Sequence, residues 1–478
     1  MARVRASTTV LAAAGGAALL LLARQADRRA TGVAGRRASE GTGSGPRRRV
    51  VIVGAGFGGL QAARRLAREP GVALTVIDTH NHHVFQPLLY QVATAALSPS
   101  DIASPVRSIV PVSDRHRVLM ATVTGVDAEA RRVLCEGESV PYDELILATG
   151  SRPSYFGHAA WAEAAPGLKT LDDAVGLRQA ILEAFERASD ATSEAERARL
   201  LTFVLIGGGS TGVEMAGAIA ELARNVLARN YDMGTGQGRA RARIVLVEAG
   251  PRVLADFAPD LSANAHAALE GLGVEIRTGT RVTGIGAGTV ELHGETILAG
   301  TTIWTAGTVA TPVAEWLGVT PGHGGRVPVG PDLRVPGRDG VFVIGDAALA
   351  LGRDGKPLPG LAPVAKQQGE YVARTIVRGL RGRGGARPFA YRDYGTLATI
   401  GRGKAVAELG RVHLTGRPAW LTWAVAHIFF LIGFRNRALV SAQWAFAYAT
   451  NEQGDGLILG ALPAAARRGA QPPVAKPG

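Results

Sequence analysis

The chain has 478 residues, 46% of them hydrophobic, with 63 glycines and a formal net charge of +13. That is ordinary globular composition and length enough for two or three domains, each with a core of its own. The single cysteine, Cys135, excludes an intrachain disulfide and any Cys-x-x-Cys redox pair, and arginine clusters without interleaved aromatics argue against nucleic acid as a partner.

Much of the positive charge lies at the start: Arg3, Arg5, Arg24, Arg28, Arg29, Arg36, Arg37 and Arg47 to Arg49. Between them Thr8 to Leu22 is an uncharged, mostly apolar run. With its neighbours it is about the shortest segment able to span a bilayer. It reads as an anchor, and the greater arginine content after it keeps the body cytoplasmic. A cleaved signal peptide, an organelle transit peptide and a plain apolar extension are the alternatives. Residues 31–46 are a Gly/Ser/Arg/Thr linker.

Arg48 to Val53 reads as a buried strand. It runs into Gly54-x-Gly56-x-x-Gly59, with Gly58 between, and then a helix beginning at Leu60. In such a turn the first glycine allows the bend, the second lets pyrophosphate approach the backbone, and the third lets helix and strand pack. The next strand, Val72 to Ile77, ends in Asp78, an acid placed to accept from ribose hydroxyls. Tyr142 to Ser151 (YDELILATGS) reads as a buried strand and small-residue turn.

The pattern then repeats. Leu201 to Ile206 is a strand, Gly207-x-Gly209-x-x-Gly212 a turn, and Val213 to Leu227 a helix. The following strand, Ile244 to Val247, ends in Glu248, which favours NADH because it would repel a 2′-phosphate. Arg252 nearby weakens that exclusion. Glu214 is either an acid complementing the helix dipole or a polar group beside the nicotinamide. Two such turns imply two dinucleotides facing each other, the arrangement that moves electrons between a nicotinamide and a flavin.

Val341 to Ala347 (VFVIGDA) is a strand ending in Gly345-Asp346, suited to ribityl or pyrophosphate groups. Pro418 to Thr450 carries Trp420, Trp423 and Trp444 and reads as two helices lying in a membrane surface. A buried helix or dimer interface is the alternative. Residues 463–478 read as a disordered tail. The ten histidines show no metal-ligand spacing; His80, His82 and His83 are merely crowded.

These motifs, with His83 to Leu97 (HVFQPLLYQVATAAL), GGGSTGVE and Leu361 to Gly369 (LAPVAKQQG), resemble the type II NADH:quinone oxidoreductases. These are non-pumping NADH dehydrogenases of the FAD-dependent pyridine nucleotide-disulfide oxidoreductase superfamily. The resemblance covers about residues 48 to 450. It implies an α/β fold with two Rossmann-like dinucleotide-binding domains, the FAD domain interrupted by the NADH domain, and a C-terminal membrane-associating helical segment. The segments are then 1–47 anchor and linker, 48–165 and 311–380 FAD-binding, 166–310 NADH-binding, 381–462 membrane-associating and 463–478 tail. FAD would be held by Gly54, Gly56, Gly58, Gly59, Asp78, Gly345 and Asp346, and NADH by Gly207, Gly209, Gly212 and Glu248. In the family a segment of form A-Q-x-A-x-Q-Q lies under the flavin beside the quinone pocket. Here Pro363 replaces its first Gln, while Gln367 and Gln368 remain. Lys366, Gln367, Gln368 and Glu214 are the candidates for the quinone side and proton delivery.

The resemblance further implies a quinone acceptor (ubiquinone or menaquinone), contact with membrane lipids and a possible homodimer. The enzyme would lie at the cytoplasmic side of the cell membrane, or at the mitochondrial inner membrane of a eukaryote. A reductase of ferredoxin or rubredoxin type is the alternative. It would have no use for the lipophilic C-terminal pair. Disulfide-relaying and sulfide:quinone reductases need a dithiol that one cysteine cannot supply.

Overall fold

The structure is a computed structural model, and it describes residues 47–110, 112–224, 242–383, 387–450 and 458. The apolar N-terminal run, the linker after it, residues 225–227 and the C-terminal tail lie outside the described residues.

Two parallel sheets are built by the same rule. The first uses β1 (Arg48–Val53), β2 (Val72–Asp78), β3 (His116–Met120) and β4 (Glu144–Leu147). The chain then leaves to build the second sheet from β5 (Thr202–Ile206), β6 (Arg243–Val247), β7 (Val274–Arg277) and β8 (Thr301–Trp304). It returns to complete the first with β9 (Val341–Val343). The orders are β9-β4-β1-β2-β3 and β7-β6-β5-β8. Each first strand is central and buried on both faces, which is why both read as unbroken apolar runs. Ile52 lies between Val76 and Ile146, and Leu205 between Leu246 and Ile303, all fully buried. Each such side chain contributes about 1.5–3 kcal/mol on leaving water. The outward and return connections pair with each other as short antiparallel strands, Ser151–Pro153 with Thr308–Ala310.

Helix α1 (Phe57–Leu66) follows the first turn, and α2 (Ser210–Leu222) the second. A long helix, α3 (Ala362–Leu380), crosses α1 so closely that a Cβ on Gly369 would overlap the Gly58 carbonyl. The chain ends in an antiparallel sheet of β10 (Thr396–Gly401), β11 (Lys404–Leu409) and β12 (Val412–Thr415), then α4 (Gly416–Phe430) and α5 (Phe434–Thr450). Strand β10 is clamped on α2, where a Cβ on Gly217 would overlap the Ile400 carbonyl. Cys135 is buried at the end of a strand, Arg132–Cys135.

The expected C-terminal helix pair is present, but its tryptophans face inward. Trp423 is buried and stacks on Trp444 with centroids 5.1 Å apart, and the Trp444 indole donates to Gln91 Oε1 at 2.8 Å. The exposed large side chains of the pair are instead Leu421, Phe429, Phe434, Leu439, Phe446 and Tyr448. An indole carries an N–H that needs a partner, and for Trp444 the protein interior offers one. Among the described residues, no helix is long and apolar enough to cross a membrane.

Candidate active site

Both glycine turns are built alike. Gly54 (φ 99°) and Gly207 (φ 113°) adopt backbone that side chains rarely reach, and a Cβ on either would strike the adjoining strand end, at Ala148 and Ala306 respectively. A Cβ on Gly59 or Gly212 would overlap the carbonyl of its turn's first glycine. At Gly56 and Gly209, by contrast, a Cβ would meet nothing within 4 Å. These two positions N-cap α1 and α2, and neither helix has a side-chain cap or an acid in its first turn. The first amides of both helices are therefore left to an external anion, the arrangement that suits a pyrophosphate.

The two strand-end acids are also equivalent. Asp78 Oδ2 accepts from Ala55 N at 2.6 Å, and Glu248 Oε2 accepts from Gly208 N at 2.6 Å. Each carboxylate is thereby held against its own turn. Arg252 has its guanidinium engaged with the carbonyls of Ala255 and Phe257, so it is committed to the local backbone.

A cavity of about 1240 Å³ connects the first glycine turn and Asp78 with the start of α2 and with α4. It is larger than the roughly 300–1,000 Å³ of an ordinary small-molecule site. Its wall includes Gly54, Gly56, Gly58, Asp78, Gly345, Asp346, Glu214 and Lys366, together with Thr422, His427 and Phe430 of α4. Gly59 lies just behind it. Gly207, Gly209, Gly212 and Glu248 lie beyond it, and only the start of α2, at Ser210 and Thr211, reaches the cavity. Asp346 Oδ2 accepts from Ser151 Oγ at 2.7 Å, with Lys169 Nζ at 4.0 Å.

Gln367 and Gln368 are outside the cavity wall. Gln368 is buried and its Oε1 accepts from Gly345 N at 2.6 Å, pinning α3 to the Gly345-Asp346 loop. Gln367 clasps the backbone of Arg392, donating to its carbonyl at 2.8 Å and accepting from its N–H at 2.9 Å.

Lys366, Glu214, His83 and His427, all on the wall, are shifted toward neutrality. Lys366 Nζ sits 4.7 Å over the Phe430 ring. Burial, with Arg64 and Arg437 nearby, lowers its pKa to about 8. Burial raises the Glu214 carboxyl to about 8, opposed by the Thr399 N–H at 3.4 Å. Glu214 is not in the first turn of α2; it borders the cavity. Two histidines escaped the sequence argument. His83 Nδ1 meets the Ala55 carbonyl at 2.9 Å and His427 Nδ1 the Trp423 carbonyl at 2.7 Å. Burial lowers both to about 4. A carbonyl needs a donor, so Nδ1 carries the proton in each. His83 Nε2 is then a buried acceptor at the cavity wall without a partner among the described residues, and a ligand hydroxyl or amide would complete it.

Residues 48–369 match the pyridine nucleotide-disulphide oxidoreductase family. The chain is 41% identical over 434 residues to the type II NADH:quinone oxidoreductase Ndh of Mycobacterium tuberculosis, covering 87% of this chain and 91% of that one. The chain belongs to the type II NADH:quinone oxidoreductases. A second M. tuberculosis member of this family, NdhA, is 40% identical over 427 residues, 86% of this chain and 89% of its own. In fold the chain is similar to NDH2 from Plasmodium falciparum, solved in complex with NADH. The TM-score is 0.77 at 20% identity, over 86% of this chain and 100% of that one. A sulfide:quinone oxidoreductase from Aquifex aeolicus shares the fold more loosely, with a TM-score of 0.62 at 18% identity, over 82% of this chain and 92% of that one. The disulphide chemistry in the broader family's description has no counterpart in a type II chain whose one cysteine is Cys135.

Proposed function

We propose that this protein oxidises NADH and reduces a quinone through FAD, without pumping protons. The observation that carries this is the large cavity, which runs from the first glycine turn past the start of α2 to α4. One ligand held at each of those three walls would meet the others inside it. Bound FAD would supply the two-electron chemistry, taking hydride from the nicotinamide and passing electrons to the quinone.

The chain's own residues bind, orient and neutralise. The uncapped amides of α1 and α2 hold the two pyrophosphates, and Asp78 and Glu248 meet the two adenosine riboses. Asp346, fixed by Ser151 and near Lys169, faces the ribityl side. Gln368 holds the loop that carries it, and Gln367 anchors α3 to the following segment; both act as positioning residues. Lys366 offers a positive charge and a proton to a quinone oxygen, and Glu214 offers a proton donor on the nicotinamide side. The apolar face of α4 and α5, with Leu421, Phe429 and Phe446 exposed, lies in the membrane surface on the cytoplasmic side and lets quinone enter from lipid.

The test is an anaerobic spectral titration. The purified protein should be yellow, NADH should bleach it, and a short-chain benzoquinone added back should restore the colour. Protein that carries no flavin, or flavin that NADH leaves oxidised, overturns the proposal.

A further inference from the structure

A second, smaller cavity of about 110 Å³ lies between α2, β10 and the C-terminal helices. Glu214 borders both cavities. Seven residues further along the same face of α2, Glu221 borders only the smaller one. The two carboxyls are about 10 Å apart along the helix axis, two turns of separation. That is too far for direct transfer and a short way for a chain of waters.

The wall of this cavity calls for water. Gln443 and Trp423 both line it, and Gln443 Oε1 and Trp423 Nε1 are buried with no hydrogen-bond partner among the described residues. One is an acceptor and the other a donor, and water, which donates and accepts, suits both. A buried water needs at least about 10–15 Å³, so the space takes several. At the inner end are Glu214, with Thr399 N–H against it, and the Tyr90 hydroxyl, which accepts from Gln91 Nε2 at 2.8 Å. At the outer end Glu221 Oε1 accepts from Arg402 N at 2.6 Å, with the charges of Arg402, Lys404 and Arg224 around it. The half-exposed Tyr448 stands there too, its ring 4.9 Å from the Arg402 guanidinium.

The reaction needs such a path. NADH, one proton and a quinone give NAD⁺ and a quinol, so one proton per turnover must come from solvent. With nicotinamide and quinone in the large cavity, water there is displaced. We propose that the smaller cavity is a hydrated proton inlet, in which Glu221 relays the solvent proton to Glu214 at the wall of the reaction cavity. The inlet rests on the function proposed above. It assigns a role to Glu221 and to the polar wall of α5, which the hydride step does not use.

Two measurements test it. In the first, flavin-loaded protein reduced with NADH is mixed with a short-chain benzoquinone in weak buffer containing a pH-indicator dye. Glu221→Gln, and Ala218→Leu, which fills the cavity without touching a charge, should be bleached by NADH at the unmodified rate. Their proton uptake should slow by about tenfold or more, the scale of a lost proton-transfer group, with a larger solvent isotope effect. Glu221→Asp should recover part of the rate. Proton uptake at the unmodified rate in both variants overturns the inlet. In the second, a crystal structure of the flavin-loaded protein at a resolution that shows water should place ordered waters on Gln443 Oε1 and Trp423 Nε1. A dry cavity overturns the inlet irrespective of turnover. Failure of NADH to bleach the unmodified protein would instead overturn the functional proposal, and the water positions would still answer for the inlet.

Discussion

Glu214→Gln should make the protein more stable, by an amount that depends on pH. Burial raises the Glu214 carboxyl from 4.5 to about 8. Between those values the folded protein holds this proton and the unfolded chain has released it. Stability is therefore lost as pH rises through that window. At pH 7 the cost is about 3 kcal/mol at roughly 1.4 kcal/mol per pKa unit, and above pH 8 it levels off near 5 kcal/mol. Glutamine has the same shape and can keep the Thr399 N–H bond, but carries no such cost. Urea unfolding of the two proteins at pH 5, 7 and 9 should show a small gain at pH 5, about 2–3 kcal/mol at pH 7 and the largest gain at pH 9. A gain that is equal at all three values would mean that the carboxyl is not held neutral by its surroundings. The same variant should reduce quinone more slowly. A stabilising change that damages turnover is the mark of an acid retained for chemistry.

Lys366 gives the opposite limb. With its pKa lowered to about 8, kcat/KM for quinone should fall above pH 8 as the charge is lost, and Lys366→Met should abolish that fall along with most of the activity; a profile unchanged in the variant would refute the role. Glu248→Ser should shift the NADH-to-NADPH preference by about tenfold toward NADPH, since a charge repelling the 2′-phosphate is gone and Arg252 is held by the backbone; measured kcat/KM for both nucleotides decides this. Gly369→Ala should cost about 1–3 kcal/mol by forcing α3 off α1, read as a lower melting temperature and easier loss of flavin. Leu421, Phe429 and Phe446 all changed to Ser should release the protein from lipid vesicles while NADH oxidation with a soluble dye persists, and vesicle binding at the unmodified level would exclude that face as the contact.

Both sheets were legible in the sequence because their central strands are buried on two sides, so that Val50 to Val53 and Phe203 to Ile206 show no polar interruption. The turns were legible because glycine alone fits Gly54 and Gly207. What stayed hidden depends on distant packing. Nothing local in Gln367 and Gln368 says that their amides turn away from the cavity to hold Arg392 and Gly345. The inward tryptophans of α4 and α5 were obscured for a related reason. An indole suits a headgroup layer and a polar interior equally, and the partner that decides, Gln91, lies far away in sequence. Glu221 had a signal that went unused, a second acid on the Glu214 face of an otherwise apolar helix. His83 and His427 had only their apolar neighbourhoods to distinguish them.

On the function proposed above, the helices that face lipid also wall the two cavities, α4 both of them and α5 the smaller. Their outer side chains would then meet acyl chains, while Trp423, Gln443 and Trp444 behind them border the smaller cavity. Stripping the bilayer away with detergent would then do more than change solubility: it would remove one support from these two helices. Turnover of the extracted enzyme should consequently track the lipid restored to it.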